Sequence, residues 1–297
     1  MSSTVLPAPG KTTTAKAARR GSGQAVRITA LVLILAVVLY PLVWMVGTSF
    51  KSPEEIVNNI GLIPREFTPS NFSEGWNKFD VAFGRFFVNS AMVAVLTVLG
   101  NTLSCLLAAY AFGRLRFRLR GVWFAIMIGT LLLPGHVLII PQYILFRTLG
   151  WVGGDWPYLP LLVPHFLATE AFFVFLMVQF MRGIPRELDE AAVIDGASAY
   201  SIFRHVILPL SRPALVTTAI FSFIWTWNDF FRQLVYLSEL KDYTAPVALT
   251  LFIDSTSESS VGPMFAMSLL SLVPVFLFFV AFQRLLVEGI NTSGLKG

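Results

Sequence analysis

The chain has 297 residues, of which 55% are hydrophobic and only 13% charged; an ordinary soluble domain carries about 25% charged residues. That balance, with 27 phenylalanines, excludes a water-soluble globular domain and predicts an all-α integral membrane protein. The net charge of +5 would suggest nucleic acid on a soluble protein; in a membrane protein, basic residues collect in cytoplasmic loops, so no nucleic-acid partner is expected.

Residues 1–26 are rich in Ser, Thr, Ala, Lys and Arg and lack apolar periodicity, which predicts a disordered cytoplasmic tail. Gly10-Lys11-Thr12 is similar to the end of a phosphate-binding loop, but Val5 stands where the first glycine is required. It is not read as a nucleotide site. Residues 27–50 form the first apolar run, too long for a signal-peptide core of about 7–15 residues, and no small-residue cleavage site closes it. It reads as an uncleaved span with Tyr40 and Trp44 near its outer interface.

A polar loop, 51–85, carries Pro53, Pro64 and Pro69. The core domain, 86–288, then holds five more apolar runs, at about 86–112, 122–146, 158–181, 214–237 and 263–287. Each can cross a bilayer core that needs about 20 residues. Residues 289–297 read as a second cytoplasmic tail. The one cysteine, Cys105, sits in an apolar run and permits no intrachain disulfide.

Positive charge orients the spans. Lys11, Lys16, Arg19, Arg20 and Arg27 precede span one; Arg114, Arg116, Arg118 and Arg120 separate spans two and three; Arg182, Arg186, Arg204 and Arg212 separate spans four and five. Alternate loops thus share the cytoplasmic side, with both termini inside and 51–85 outside. Acidic, Ser/Thr-rich 238–262 falls outside as well.

The longest polar segment between spans is 182–213. Pro185 suits the first position of a helix, and Glu187, Asp189 and Glu190 favour its positive N-terminal end. Leu188, Ala191 and Ala192 form an apolar stripe at helical spacing. Gly196 predicts a stop and Ser198 a new N-cap. The second helix carries Ile202, Phe203 and Val206 on one side and ends before Pro209. Shape alone leaves a plain connector as open as a docking element.

The letters add to the shape. Glu190-Ala191-Ala192, Asp195-Gly196-Ala197 and Leu208-Pro209 resemble the EAA loop of permease subunits of bacterial type I ATP-binding-cassette (ABC) importers. Pro41-Leu42-Val43-Trp44, Ser49-Phe50-Lys51, Gln179-Phe180, Trp227-Asn228-Asp229-Phe230, Gln283-Arg284 and Gly294-Leu295-Lys296-Gly297 are similar to the carbohydrate-type, maltose-like second-permease group of the MetI-like superfamily. The resemblance implies a permease fold of six transmembrane helices in the bacterial cell membrane, with no catalytic or metal residues of its own. It implies a second homologous permease, two ABC ATPase subunits that bind ATP and magnesium, and an extracytoplasmic solute-binding protein. It assigns Glu190, Ala191, Ala192, Asp195, Gly196, Leu208 and Pro209 to ATPase coupling. The carried solute would be a sugar or a related polar molecule. Val206, Glu170 and Arg232 depart from the group's usual residues.

Charged groups at membrane depth usually face a bundle interior or a cavity. Glu170, Asn228 and Asp229 fall near the middle of spans four and five and are candidates for the solute path. Asp229 could equally form an intrahelical pair with Arg232, three residues on. His136 follows Pro134-Gly135 and is expected to bond a carbonyl freed by the proline. His165 and His205 sit in unrelated segments without metal-ligand spacing. The alternatives are a secondary transporter, which would show repeated halves, and a membrane enzyme, for which no HExxH or nucleophile elbow appears. Residues 239–262 are a candidate contact for the solute-binding protein.

Overall fold

The computed structural model describes residues 14–254 and 260–294, and all regular structure among them is helical. Helix α1 spans Thr14–Thr48. Its backbone is thus helical from inside the stretch whose composition predicts disorder. Ala, Lys and Arg are good helix formers, and they extend the apolar span without a break. Residues 1–13, with Gly10-Lys11-Thr12, and residues 295–297 lie outside the described residues. In the apolar segment Val26–Thr48 only Thr48, at its outer end, is buried against the rest of the chain.

The loop after α1 is folded. Lys51, just past the end of α1, is buried. Its Nζ donates to the carbonyls of Asn59 (2.8 Å) and Gly61. Asn71 Nδ2 donates to Ser49 O and Lys51 O, each at 2.9 Å. These bonds seat α2 (Pro53–Asn58) and α3 (Ser70–Trp76) over the end of the bundle, with Phe50 stacked on Phe67.

Helix α4 (Phe83–Gly113) is the central rod. It has no proline and packs against the helices of spans four and five. Small residues allow the close approach. A Cβ at Gly100 would lie 2.9 Å from the Phe166 ring and 3.2 Å from the His165 carbonyl carbon.

Spans three, four and five are each interrupted. Span three is α5 (Arg120–Thr130) and α6 (Gly135–Thr148), bent by 103° at Leu131–Pro134. Pro134 supplies the extended residue that starts α6. Span four is α7 (Leu159–Phe166) and α8 (Ala171–Arg182). Between them Ala168 takes the left-handed conformation, with φ of 55°. Thr169 Oγ1 closes the turn by donating to Pro164 O at 2.9 Å.

The 182–213 segment carries α9 (Glu187–Ile194), α10 (Ala199–Ile202), a wide π turn (Phe203–Ile207) and α11 (Leu208–Leu210). The turn widens just before Pro209, which has no N–H for the His205 carbonyl. Span five is α12 (Arg212–Trp227) and α13 (Phe231–Tyr236). A 69° bend at Ser211 separates α12 from the Ala199–Leu210 limb. That limb exposes Arg204 and His205, so the crossing begins at Arg212. A short 3-10 turn and α14 (Ala245–Asp254) precede α15 (Val261–Gly294), which carries span six into the stretch read as a C-terminal tail. Residues 255–259 of the acidic segment lie outside the described residues.

Among the described residues four helices are long and apolar enough to cross a membrane, and up to six cross if each bent pair is one span. The fold is the expected all-α, six-span architecture.

Candidate functional site

Two places bring functional side chains together. The first is the 182–213 loop. Its two limbs meet at Gly196, where φ is +80° and a Cβ would touch nothing within 4 Å. Glycine is therefore required by backbone conformation and not by space. Ser198 caps the second limb, its Oγ accepting from Ser201 N at 3.2 Å, as the sequence predicts. Glu190, Ala191 and Asp195 are exposed, Ala192 is half-buried, and Val193, Ile194 and Tyr200 present their side chains outward, Ile194 at 86% exposure. The inner side is apolar: Ile202 and Ile207 are buried against Met177, Val178 and Met181 of α8. Leu208 and Pro209 line a hollow of about 490 Å³ with Tyr200, Phe203, Arg204 and Arg212.

Sequence reasoning missed what holds this loop. Arg114 serves there as one of four topology-setting arginines, yet its side chain is only 4% exposed. It donates from Nη2 to Met181 O and Ile184 O, both at 2.8 Å, and pairs with Asp189 at 3.2 Å. Tyr110 Oη donates to Ala199 O at 2.8 Å. The arginine-rich 113–121 turn and the 182–213 loop thus share one end of the bundle. Only burial distinguishes Arg114 from exposed Arg116 and Arg118.

The second place is a cavity of about 690 Å³ into which the interruptions of spans three, four and five open. Glu170, Asn228 and Asp229 all line it, so the three residues singled out by membrane depth converge. Arg232 stands between the acids, Nη1 3.8 Å from Glu170 Oε1 and Nε 4.0 Å from Asp229 Oδ2. Asp229 Oδ1 also accepts from Arg232 N at 3.2 Å. Asp229 lies in the break between α12 and α13, so its pair with Arg232 spans the start of α13 and is not the intrahelical pair expected, and Asp229 also lines the cavity. The Arg232 side chain is 46% exposed and makes no hydrogen bond of its own among the described residues.

Asn228 lines the cavity, but its Nδ2 donates to Ile224 O at 2.7 Å, closing the end of α12. Gln233 Nε2 caps Thr226 O at 3.0 Å, and Thr244 Oγ1 donates to Gln233. Such side-chain bonds let a helix break at membrane depth.

His165 is drawn into the same network, against the sequence reading that it stands apart. Its Nδ1 is 3.1 Å from Asn101 Oδ1 and 3.6 Å from Glu170 Oε1. Asn101 Nδ2 donates to Ser222 Oγ at 2.8 Å. A polar Asn inside the apolar run of α4 was the available signal for this contact. His136 lines the cavity 5.1 Å from the Phe231 ring and bonds no carbonyl among the described residues, contrary to expectation, because turn bonds from Leu132 and Leu133 already take up Gly129 O and Thr130 O. Among the described residues no cluster of His, Cys, Asp and Glu could hold a metal ion.

A helical membrane bundle with broken spans around a polar cavity, and a long exposed loop at one end, defines a permease. Residues 100–291 match the model of the family described as binding-protein-dependent transport system inner membrane component. The chain belongs to this family and is a permease subunit of an ABC importer. It is 31% identical to the trehalose transport system permease protein SugB of Mycobacterium tuberculosis, over 94% of this chain and 99% of that protein. It is 30% identical to the galactooligosaccharides transport system permease protein GanQ of Bacillus subtilis, over 90% and 93%. Its fold matches a chain of the crystal structure of a bacterial ABC transporter involved in the import of the acidic polysaccharide alginate, with a TM-score of 0.78, 23% identity, and coverage of 94% and 99%.

Proposed function

We infer that this subunit passes a sugar or related polyhydroxylated solute inward through the cavity, driven by ATP hydrolysis on separate subunits that dock on the 182–213 loop. The single observation that carries the reading is the loop itself: two braced limbs meeting at a positive-φ glycine, with an exposed rim of Glu190, Asp195, Val193 and Ile194. An exposed apolar patch rimmed by charge marks a protein interface. The permease relatives named for trehalose and galactooligosaccharides support a carbohydrate solute. Neutral hydroxyls are suited to the mixed carboxylate and guanidinium lining of the cavity.

The complete importer then has a second homologous permease, two ATPases holding ATP and magnesium, and an extracytoplasmic binding protein. The arginine-rich end of the bundle faces the cytoplasm, and both termini lie on that side. Ligand binding on one face and ATP on the other shift the bundle between open-out and open-in states.

Gly196→Val tests the reading in the reconstituted complex. A non-glycine residue in the left-handed region costs roughly 1–2 kcal/mol, too little to prevent insertion of the bundle. The Cβ meets nothing in this chain, so the strain falls on the angle between the two limbs and through it on the contact with the partner. We expect near-normal abundance, weakened ATPase association and lost solute-stimulated hydrolysis. Full stimulated hydrolysis and transport would make the loop a plain connector.

A further inference from the structure

We propose that Arg114 and Tyr110 clamp both limbs of the 182–213 loop to α4, and that α4 is the stiff link carrying loop motion to the cavity. The proposal rests on the coupling role given to the loop above. An arginine needed only for topology would stay in water, as Arg116 and Arg118 do. Arg114 is buried and commits its guanidinium to three partners: the last turn of α8 at Met181, the linker at Ile184, and the first limb at Asp189. Planar fork geometry makes such a three-point hold specific to arginine, and lysine cannot reproduce it. One helical turn earlier, Tyr110 holds the first residue of the second limb through Ala199 O and packs 5.0 Å from the Phe203 ring.

Tying one limb would let the loop pivot at Gly196. Tying both to one helix end means the loop cannot shift without moving α4. Along α4, Ser104 and Asn101 sit about 15 and 20 Å from Arg114 at a rise of about 1.5 Å per residue. Ser104 Oγ donates to His165 O at 2.7 Å, at the interruption of span four. Asn101 touches His165 there and Ser222 of span five. Spans three, four and five are interrupted, whereas α4 is continuous and contains no proline. It is the element able to transmit a displacement without absorbing it. A physical chain of contacts with a stiff middle is what coupling between distant sites requires.

The test uses the assembled importer in proteoliposomes with its ATPase, binding protein and solute. Arg114→Gln is expected to keep ATPase co-purification and basal hydrolysis, and to lower solute-stimulated hydrolysis by about tenfold, with less solute moved per ATP. Arg114→Lys should fall between it and the parent, and Tyr110→Phe should lose about two- to threefold. Adding Ser104→Ala to Arg114→Gln should cause no further loss, because residues acting through one link are not additive. A purely structural arginine would lower abundance and basal hydrolysis in step and leave the transport-to-ATP ratio unchanged, which overturns the proposal. So does full stimulation in Arg114→Gln, or additive loss in the double variant. If Arg114→Gln fails to accumulate, Tyr110→Phe, which removes one hydroxyl, decides, and full stimulation there overturns the clamp. Gly196→Val run alongside separates the levels. Full stimulation in Gly196→Val sinks the coupling role and the clamp with it, whereas full stimulation confined to the α4 variants sinks the clamp alone.

Discussion

The 182–213 loop and the cavity among spans three to five are assembled from the chain in opposite ways. The loop is nearly contiguous: its cap, its left-handed glycine and its exposed rim lie within about three helical turns, and each acts through local backbone rules. The cavity draws Asn101, His165, Glu170, Asp229 and Arg232 from three separate spans. The loop also has an apolar inside and a charged outside, whereas the cavity collects charge inside an apolar body. The difference teaches where a substitution should act. Loop changes should disturb a partner and leave solute recognition alone, and cavity changes should do the reverse.

The largest effect that could break this contrast is at Ile194, exposed at 86% and touching little of its own chain. Ile194→Asp should leave abundance unchanged. If Ile194 anchors the ATPase contact, the loss is about 2 kcal/mol, close to thirtyfold in affinity, read as ATPase retention during purification. Undiminished retention would move the contact elsewhere on the loop.

Next is Arg232. Removing it leaves Glu170 and Asp229 facing one another without their shared cation. The groups are a quarter to a half exposed, so water screens them and the stability cost is about 1 kcal/mol or less. Arg232→Ala should therefore lower solute uptake about tenfold with ATPase retention intact. The triple change with Glu170→Gln and Asp229→Asn should restore yield without restoring uptake. Recovery of uptake in the triple variant would make the three charges a structural set and remove them from the solute path.

The smallest effect lies in the outer loop, away from both places, and sharpens the contrast as a control. Glu55 accepts from Arg65 N at 2.7 Å, from Asn59 Nδ2 at 2.9 Å and from Glu66 N at 3.4 Å. The Arg65 N–H above all holds its carboxyl below the ordinary 4.5. A depressed folded value stabilises the loop fully above about pH 4.5 and loses that stabilisation as pH falls through the lowered value. Protease cleavage between 51 and 67 should therefore rise as pH falls below about 4.5, and Glu55→Gln should abolish that acid step.

Membrane class, six spans and the two-limbed loop were legible because they depend on composition, periodicity and local conformational rules. Hydrophobic runs of span length report themselves in any environment. Gly196 and Ser198 act on their own backbone, so the loop's turn and cap could be read from letters alone. Membrane depth likewise singled out Glu170, Asn228 and Asp229, since charge in hydrocarbon is costly wherever its partner is. The sequence could not say that runs three to five are interrupted around one cavity, because an apolar run looks the same straight or bent by 103°. Nor could it tell Arg114 from its three neighbours, or place His165 beside Asn101 and Glu170. Those distinctions rest on which side chains meet across helices that are distant in the chain. Only packing around α4 sets those meetings, by burying one arginine among carbonyls and leaving the next two in water.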